Sequence, residues 1–267
     1  MRLGGAPDTF LGAALQRARR LIDDGRIGEV VFGHANFISG GMEHRHPNPE
    51  FFFKPGGGPA LDIGPYYVTA LVCLLGPVAS VCASGRVGRP VRTITAPESP
   101  HKGSTITVDV FTTIQAQLLF ASGATLMMTL SWDGWESSLP HIELHGTGGR
   151  LVLPDPDFFG GELELSDSSG RERIGTNGLP LGAENWPPKD PMLANYRGIG
   201  LADFAQSIAD GQPHRASAEL CLHVLEVLEA MNISAKSDAT PIRLSTSCAR
   251  PPALDTQQLD GMLVEAR

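Results

Sequence analysis

Pro55-Gly56-Gly57-Gly58-Pro59-Ala60-Leu61-Asp62-Ile63-Gly64-Pro65-Tyr66-Tyr67 runs three glycines into an apolar stretch that carries one carboxylate and, four residues on, a phenol. A helix turns once in about 3.6 residues, so Asp62 and Tyr66 fall on one face, one turn apart. Glycines lack a Cβ, so the start of such a helix can press against another backbone or a ligand. An acid and a phenol held together there form a candidate proton-handling site. Pro65 cannot donate a backbone hydrogen bond, which predicts a kink or a late true start in a helix over 59–75. Gly76-Pro77 ends it.

Upstream, 8–25 reads as an amphipathic helix. Phe10, Leu11, Ala14, Ala18, Leu21 and Ile22 recur at helical spacing, and Arg17, Arg19 and Arg20 take the other positions. Asp8 is its expected N-cap and Gly25 its expected stop. A strand follows over 27–38. The stretch 39–55, with Pro47, Pro49 and Pro55, reads as a long functional loop. Downstream, strands are expected over 78–91, 104–120 and 124–132. Hairpins follow around Gly146-Thr147-Gly148-Gly149 (139–145 with 150–153) and around Gly170 (162–165 with 171–174). The stretch 176–195 reads as loop, a candidate lid. Helices follow over 198–210 and 217–235, and a loosely ordered tail over 246–267. Few helices against many sequential strands indicate an α+β fold with a large, mostly antiparallel sheet, in one domain over 1–245.

The chain has 267 residues, 42% hydrophobic and 19% charged, a balance that fills a core. A net charge of −8 argues against nucleic-acid or anionic-membrane partners, and leaves open phosphorylated ligands held by a few arginines. Cys73, Cys82, Cys221 and Cys248 form no Cys-x-x-Cys pair and read as unpaired thiols of a reducing compartment. The N-terminus has no apolar core beside its basic residues, and no apolar run approaches the ~18 residues of a membrane helix. A cytoplasmic location is the expectation.

Other constellations carry two readings each. Glu43-His44-Arg45-His46 lacks a third metal ligand at good spacing, so no metal is expected, and His44 and His46 read as loop contacts to substrate or to a neighbouring domain. Trp132, Asp133, Trp135 and His141 gather after a long strand. They suit either sugar stacking and hydroxyl binding or plain packing beside a solvated loop. Asn195, Tyr196 and Arg197 precede a helix in the same ambiguous way, and His214-Arg215 reads as a surface turn. Lys54 stands just before the glycines. No Gly-x-Ser-x-Gly occurs, and Glu98, Asp109 and Glu136 show no specific pairing.

The glycine segment resembles the second domain of the glucose–fructose oxidoreductase / inositol dehydrogenase (Gfo/Idh/MocA) family. That pattern has three glycines, three residues, Asp, one residue, Gly, one residue, then Tyr or His. Gly56, Gly57, Gly58, Asp62, Gly64 and Tyr66 match it. Ala6-Pro7-Asp8-Thr9-Phe10-Leu11-Gly12, Ile22-Asp23-Asp24-Gly25-Arg26-Ile27-Gly28, Ile142-Glu143-Leu144-His145-Gly146-Thr147-Gly148-Gly149 and His214-Arg215-Ala216-Ser217-Ala218-Glu219 extend the likeness over 4–245.

The resemblance implies an open sheet with helices on one face and oligomer contact through the other. It implies an NAD- or NADP-dependent oxidoreductase acting on a hydroxyl of a sugar, cyclitol or related compound. Tyr66 would act in proton transfer at that hydroxyl and Asp62 would help bind substrate. Lys54, His44, Trp132 and Asp133 are further substrate-binding candidates, and Gly56, Gly57 and Gly58 would face the nicotinamide. A tyrosine ionises at about 10, so its use near neutrality calls for a nearby cation. In the family that cation is a lysine of the nucleotide domain.

Family members normally begin with a dinucleotide-binding Rossmann domain carrying Gly-x-Gly-x-x-Gly and Glu-Lys-Pro, and neither motif occurs here. Gly146-Thr147-Gly148-Gly149 has another spacing and precedes a strand pattern, Arg150-Leu151-Val152-Leu153. Dinucleotide binding by this chain alone is therefore not expected. The favoured reading is a piece of a longer protein, since Leu3-Gly4-Gly5-Ala6-Pro7-Asp8 resembles mid-protein family sequence. The alternatives are a subunit completed by a separate Rossmann partner and a non-catalytic carbohydrate-binding or scaffold module.

Overall fold

A computed structural model describes residues 1–135, 137–185 and 193–254. Glu136, part of the expected lid (186–192) and the end of the expected tail (255–267) lie outside the described residues. In chain order the elements are α1 (Ala13–Asp23), β1 (Val30–Ile38), α2 (Pro59–Asp62), α3 (Gly64–Leu75), β2 (Val78–Arg86), β3 (Val91–Thr93), β4 (Thr105–Thr107), β5 (Thr113–Phe120), β6 (Thr125–Ser131), β7 (Ile142–Gly146), β8 (Gly149–Leu153), β9 (Glu162–Asp167), β10 (Gly170–Gly175), α4 (Ile199–Ala209), α5 (Ala218–Lys236) and β11 (Ile242–Arg243).

Period-two burial builds the sheet. Ile114, Ala116, Leu118 and Phe120 of β5 are buried, as are Leu126, Met128 and Leu130 of β6, while Leu119 and Met127 between them are exposed. Nine strands pair in the order β10-β9-β8-β7-β1-β6-β5-β2-β11. The β1–β6 pair is parallel and the other neighbours are antiparallel. Helix α3 is apolar all round, with Tyr67 to Leu74 buried, and it packs against α1 and α5 over one face of the sheet. The fold is thus the expected α+β arrangement. The opposite face presents Phe32, Leu119 and Met127. Among the described residues no helix is long and apolar enough to cross a membrane.

Several boundaries differ from the sequence reading, each for a local reason. The first helix opens as a 3-10 turn (Thr9–Leu11) and becomes α-helical only after Gly12. A Cβ on Gly12 would lie 2.5 Å from the Phe159 backbone. Asp8 does not cap that helix. Its carboxylate accepts the Gly198 and Gly200 amides at 2.9 and 3.0 Å and caps α4 instead. The strand expected from residue 27 starts at Val30, because Gly28 turns the chain at φ +68°. The strands expected over 78–91 and 104–120 are both interrupted. Val91–Thr93 pairs with Thr105–Thr107 as a separate ribbon, leaving β2 and β5 to the main sheet. Ile94 and Ile106 in this region pack with Phe52, Phe53 and Trp132 in a second small core.

The helix over 59–75 breaks at Ile63, and Pro65 falls in the first turn of α3, where its missing amide is tolerated. Residues 246–254 have no regular element, yet they are not loose. Arg19 and Arg20 donate to the carbonyls of Pro251 and Leu254 at 2.9 Å, Gln16 accepts the Leu254 amide at 2.7 Å, and Leu254 is fully buried. Arg215 is no surface residue either. It is buried in an ion pair with the equally buried Asp203 and donates to the Pro252 carbonyl at 3.0 Å.

Removing one partner of such a buried pair leaves the other charge without its counter-charge, at a cost of about 3–5 kcal/mol. Asp203→Ala is expected to lower unfolding stability by that amount in a denaturant titration. A loss below about 1 kcal/mol, the value of a surface pair, would show that the contact is structurally idle.

Candidate functional site

The helix start is shaped by its glycines. Gly56 and Gly58 have φ of +93° and +87°, a region that favours glycine. A Cβ on Gly57 would lie 2.4 Å from the Phe52 carbonyl oxygen, so Gly57 serves a close approach to the preceding 3-10 turn (Glu50–Phe53). Only Gly56 of the three has open space where its Cβ would be. This packing sets Asp62 at the end of α2 and Tyr66 in the first turn of α3, across the break at Ile63.

Tyr66 lines a cavity of about 450 Å³ together with Arg197, Asp8, Phe204 and His214. That volume is within the range of about 300–1,000 Å³ usual for small-molecule sites. The Arg197 guanidinium sits 5.7 Å from the centre of the Tyr66 ring. Its Nη1 donates to Asn195 Oδ1 at 3.2 Å, and its Nη2 donates to the Asp157 carbonyl at 3.2 Å and also to Asp157 Oδ1. Burial works against the Arg197 charge, but Tyr66 and Asp157 more than restore it, so its pKa is raised.

Two carboxyls are pushed above the ordinary range. Burial raises Asp62, opposed by the His46 charge, and no hydrogen bond contributes. Burial raises Asp157 to about 6, opposed by Arg197 and reinforced by Asp155 and Asp62. Behind them, the buried Tyr67 hydroxyl lies 2.6 Å from His141 Nδ1 and donates to Asp155 Oδ1 at 3.3 Å. Burial first, then the Asp155 charge, drives the Tyr67 pKa far upward, so this phenol stays neutral. Asp155 Oδ1 also accepts the Asp157 amide at 3.0 Å. The acid–phenol pair of α2 and α3 is thereby tied to the loop after β8.

The other sequence candidates scatter. His46 acts on Asp62 through its charge while its ring packs edge-on against Phe51 and Phe52. Lys54 is held at the β3–β4 ribbon, 2.9 Å from both the Asp109 carboxylate and the Thr107 carbonyl, so Asp109 is paired after all. His44 Nδ1 meets Thr95 Oγ1 at 2.5 Å. Trp132 is buried edge-on against Phe53 and Phe52, so its faces are closed to a sugar ring. Asp133 is filled by Arg92 at 2.6 Å and by Thr112 and Thr113 at 2.7 Å. Trp132 and Asp133 thus serve packing and an internal charge network. Asp155 and Asp157 escaped the sequence reading. Their one signal is Asp155-Pro156-Asp157, two acids flanking a proline between strands.

Among the described residues no group of three His, Cys, Asp or Glu is placed to hold a metal. The glycine run at 146–149 closes the antiparallel β7–β8 hairpin and opens no helix.

The glycine-started helices α2 and α3, which carry Asp62 and Tyr66, stand over an open sheet. The chain belongs to the GFO/IDH/MocA C-terminal domain family, whose sequence profile matches residues 15–152. No curated protein matches it. Among solved structures it is similar to apo levoglucosan dehydrogenase, with a TM-score of 0.70 and 21% identity over 90% of this chain and 65% of that one. Similarity extends to the aldose–aldose oxidoreductase from Caulobacter crescentus complexed with glycerol, with a TM-score of 0.66 and 19% identity over 91% of this chain and 64% of that one. An oxidoreductase from Agrobacterium radiobacter in complex with NAD+, L-tartaric acid and magnesium gives 0.64 and 16% over 91% and 65%. At such identities the likeness establishes the fold, and the chain spans about 65% of the length of these proteins.

The raised Asp157 pKa fixes a pH dependence. Between its ordinary value of 3.8 and about 6 the folded state holds a proton that the unfolded state has released. Stability contributed by this group therefore falls as pH rises through that window. Asp157→Asn should remove the slope, so thermal melting should show the variant gaining on the wild type from about pH 4 to about pH 6. A constant difference across that range would contradict the assignment.

Proposed function

We propose that the chain is the substrate-binding part of an NAD- or NADP-dependent oxidoreductase that acts on a hydroxyl of a sugar, cyclitol or related polyol. The observation that carries this reading is Asp62. It is a half-buried carboxylate with no hydrogen-bond partner among the described residues, one turn from Tyr66, which lines a cavity of ligand size. Its oxygens stand open as acceptors, and a ligand hydroxyl can donate to them.

In this reading Asp62 accepts the substrate hydroxyl's hydrogen bond and orients the carbon that bears it. Tyr66 holds the proton at the hydroxyl oxygen. The nicotinamide, bound by a nucleotide-binding portion beyond the described residues, supplies the hydride acceptor or donor. The open space beside Gly56 is the side on which that portion approaches. The sugar and polyol ligands and the dehydrogenase names among the similar structures support the substrate class. The uncovered sheet face with Phe32, Leu119 and Met127 suits contact with a second copy of the chain. Four free cysteines suit a reducing, cytoplasmic location.

The test is a pair of titrations on the purified chain. NADH and NADPH fluorescence should show no saturable binding. Myo-inositol, glycerol and L-sorbose should shift the side-chain resonances of Asp62 and Tyr66, and Asp62→Asn should weaken the responding ligand about tenfold, as expected for a hydrogen bond to a charged group. Saturable nucleotide binding, or polyol shifts confined to other parts of the chain, would overturn this reading.

A further inference from the structure

We propose that Asp157 and Arg197 form a second wall of the substrate site, a donor–acceptor pair that reads two adjacent hydroxyls and selects neutral polyhydroxy ligands over carboxylate-bearing ones. The inference rests on the reading of Asp62 and Tyr66 above and assigns the residues that would complete that site. Both come from segments far from the glycine motif. Asp157 lies in the connection after β8, and Arg197 directly precedes α4.

The geometry supports a ligand-facing role. Arg197 and Tyr66 line the same cavity, with the guanidinium 5.7 Å from the ring centre. Asp157 engages Arg197 through Oδ1 and no hydrogen bond at Oδ2 is found among the described residues, so one carboxylate oxygen remains as an acceptor. Adjacent hydroxyls match such a pair. One donates to the carboxylate while its neighbour accepts from the guanidinium. The wall is also held in place. Asp155 Oδ1 accepts both the Asp157 amide and the hydroxyl of Tyr67, the residue next to Tyr66. Asn195 Oδ1 accepts from Arg197 Nη1 at 3.2 Å. Such fixed placement is what orientation of a substrate requires.

Charge sets the preference. Asp62 and Asp155 both act on Asp157, and Asp8 stands at the cavity wall, where Arg197 brings a guanidinium. His214 at the cavity wall, and His46 and His141 nearby, add positive charge only when protonated. A ligand carboxylate would meet an excess of negative charge, whereas hydroxyls use both members of the pair without adding any.

Myo-inositol, 1,3-propanediol and D-gluconate would be titrated into the purified chain while the side-chain resonances of Asp62, Asp157 and Arg197 are followed by NMR. Myo-inositol should move all three, 1,3-propanediol should move Asp62 alone, and D-gluconate should bind at least tenfold more weakly than myo-inositol. Asp157→Asn and Arg197→Met should each weaken myo-inositol about tenfold. Arg197→Lys, which keeps the charge but loses the planar fork, should fall between Arg197→Met and the wild type. Melting curves identify any variant that misfolds, and the remaining variants and the wild-type resonances then decide. Myo-inositol shifts at Asp62 with wild-type affinity in both Asp157→Asn and Arg197→Met would overturn the wall and leave the proposed function standing. Tighter binding of D-gluconate would overturn the selectivity. Silence at all three residues with every probe would overturn the proposed function and this inference with it.

Discussion

Helix α3 has no polar side, and the rest of the architecture follows from burying it. The sheet covers one flank, with β5 and β6 offering Leu118, Leu126 and Leu130, while α1 and α5 close the others. Burying so continuous an apolar surface is the dominant favourable contribution available to a chain of this composition. It also carries a consequence for polar groups. Tyr67 goes into the core with the helix, and its hydroxyl must find partners there. It finds His141 and Asp155, and Asp155 in turn fixes the loop that carries Asp157. A demand created by core packing thus reaches the candidate site.

Two charge clusters differ in depth and in what lies beside them. Arg92 is fully buried between Glu43 and Asp133, at 2.6 Å from each, and also donates to the Trp132 carbonyl at 3.1 Å. Asp133 takes two threonine hydroxyls besides. That cluster pins the ribbon and the 39–55 loop to the end of β6, and among the described residues it holds three buried atoms without a hydrogen-bond partner, Glu43 Oε2, His44 Nε2 and Arg92 Nε. The Asp62 cluster is open. Its carboxyls are held above their ordinary range by burial, and Asp62 itself is unpartnered among the described residues. Perturbed acids next to residues that line a cavity, here Tyr66 and Arg197, are candidates for meeting a ligand.

What could be read from the sequence was what repeats locally. The alternation in 113–120 and 125–131 and the helical spacing in 13–23 and 218–236 are carried by consecutive residues, and strands and helices form there, with the boundary changes described above. The Asp62–Tyr66 pair was legible because its spacing and glycines form a local pattern. Asp8 shows the opposite case. Its position suggested a cap for the next helix, but the amides it accepts lie at 198 and 200, which no local pattern announces. Arg215 looked like a surface residue for the same reason, since Asp203 and the 252–253 carbonyls come together only in the fold. Trp132 and Asp133 ended a strand in a way equally suited to ligand or core. Phe52 and Phe53, eighty residues earlier, decide for the core.

Arg197 and Asp157 depend on each other in a way that limits what a ligand can do between them. Burial alone would weaken the arginine's charge, and contact with Asp157 and Tyr66 sustains it. Burial alone would keep Asp157 protonated, and Arg197 holds that rise to about 6. A ligand that displaced Asp157 from the guanidinium would have to replace that carboxylate as its charge-assisted partner. Ligands that leave the Nη2–Oδ1 contact intact and use the outer carboxylate oxygen keep both charges in place. That condition favours small neutral donor–acceptor groups, and hydroxyls meet it at the least cost in desolvation.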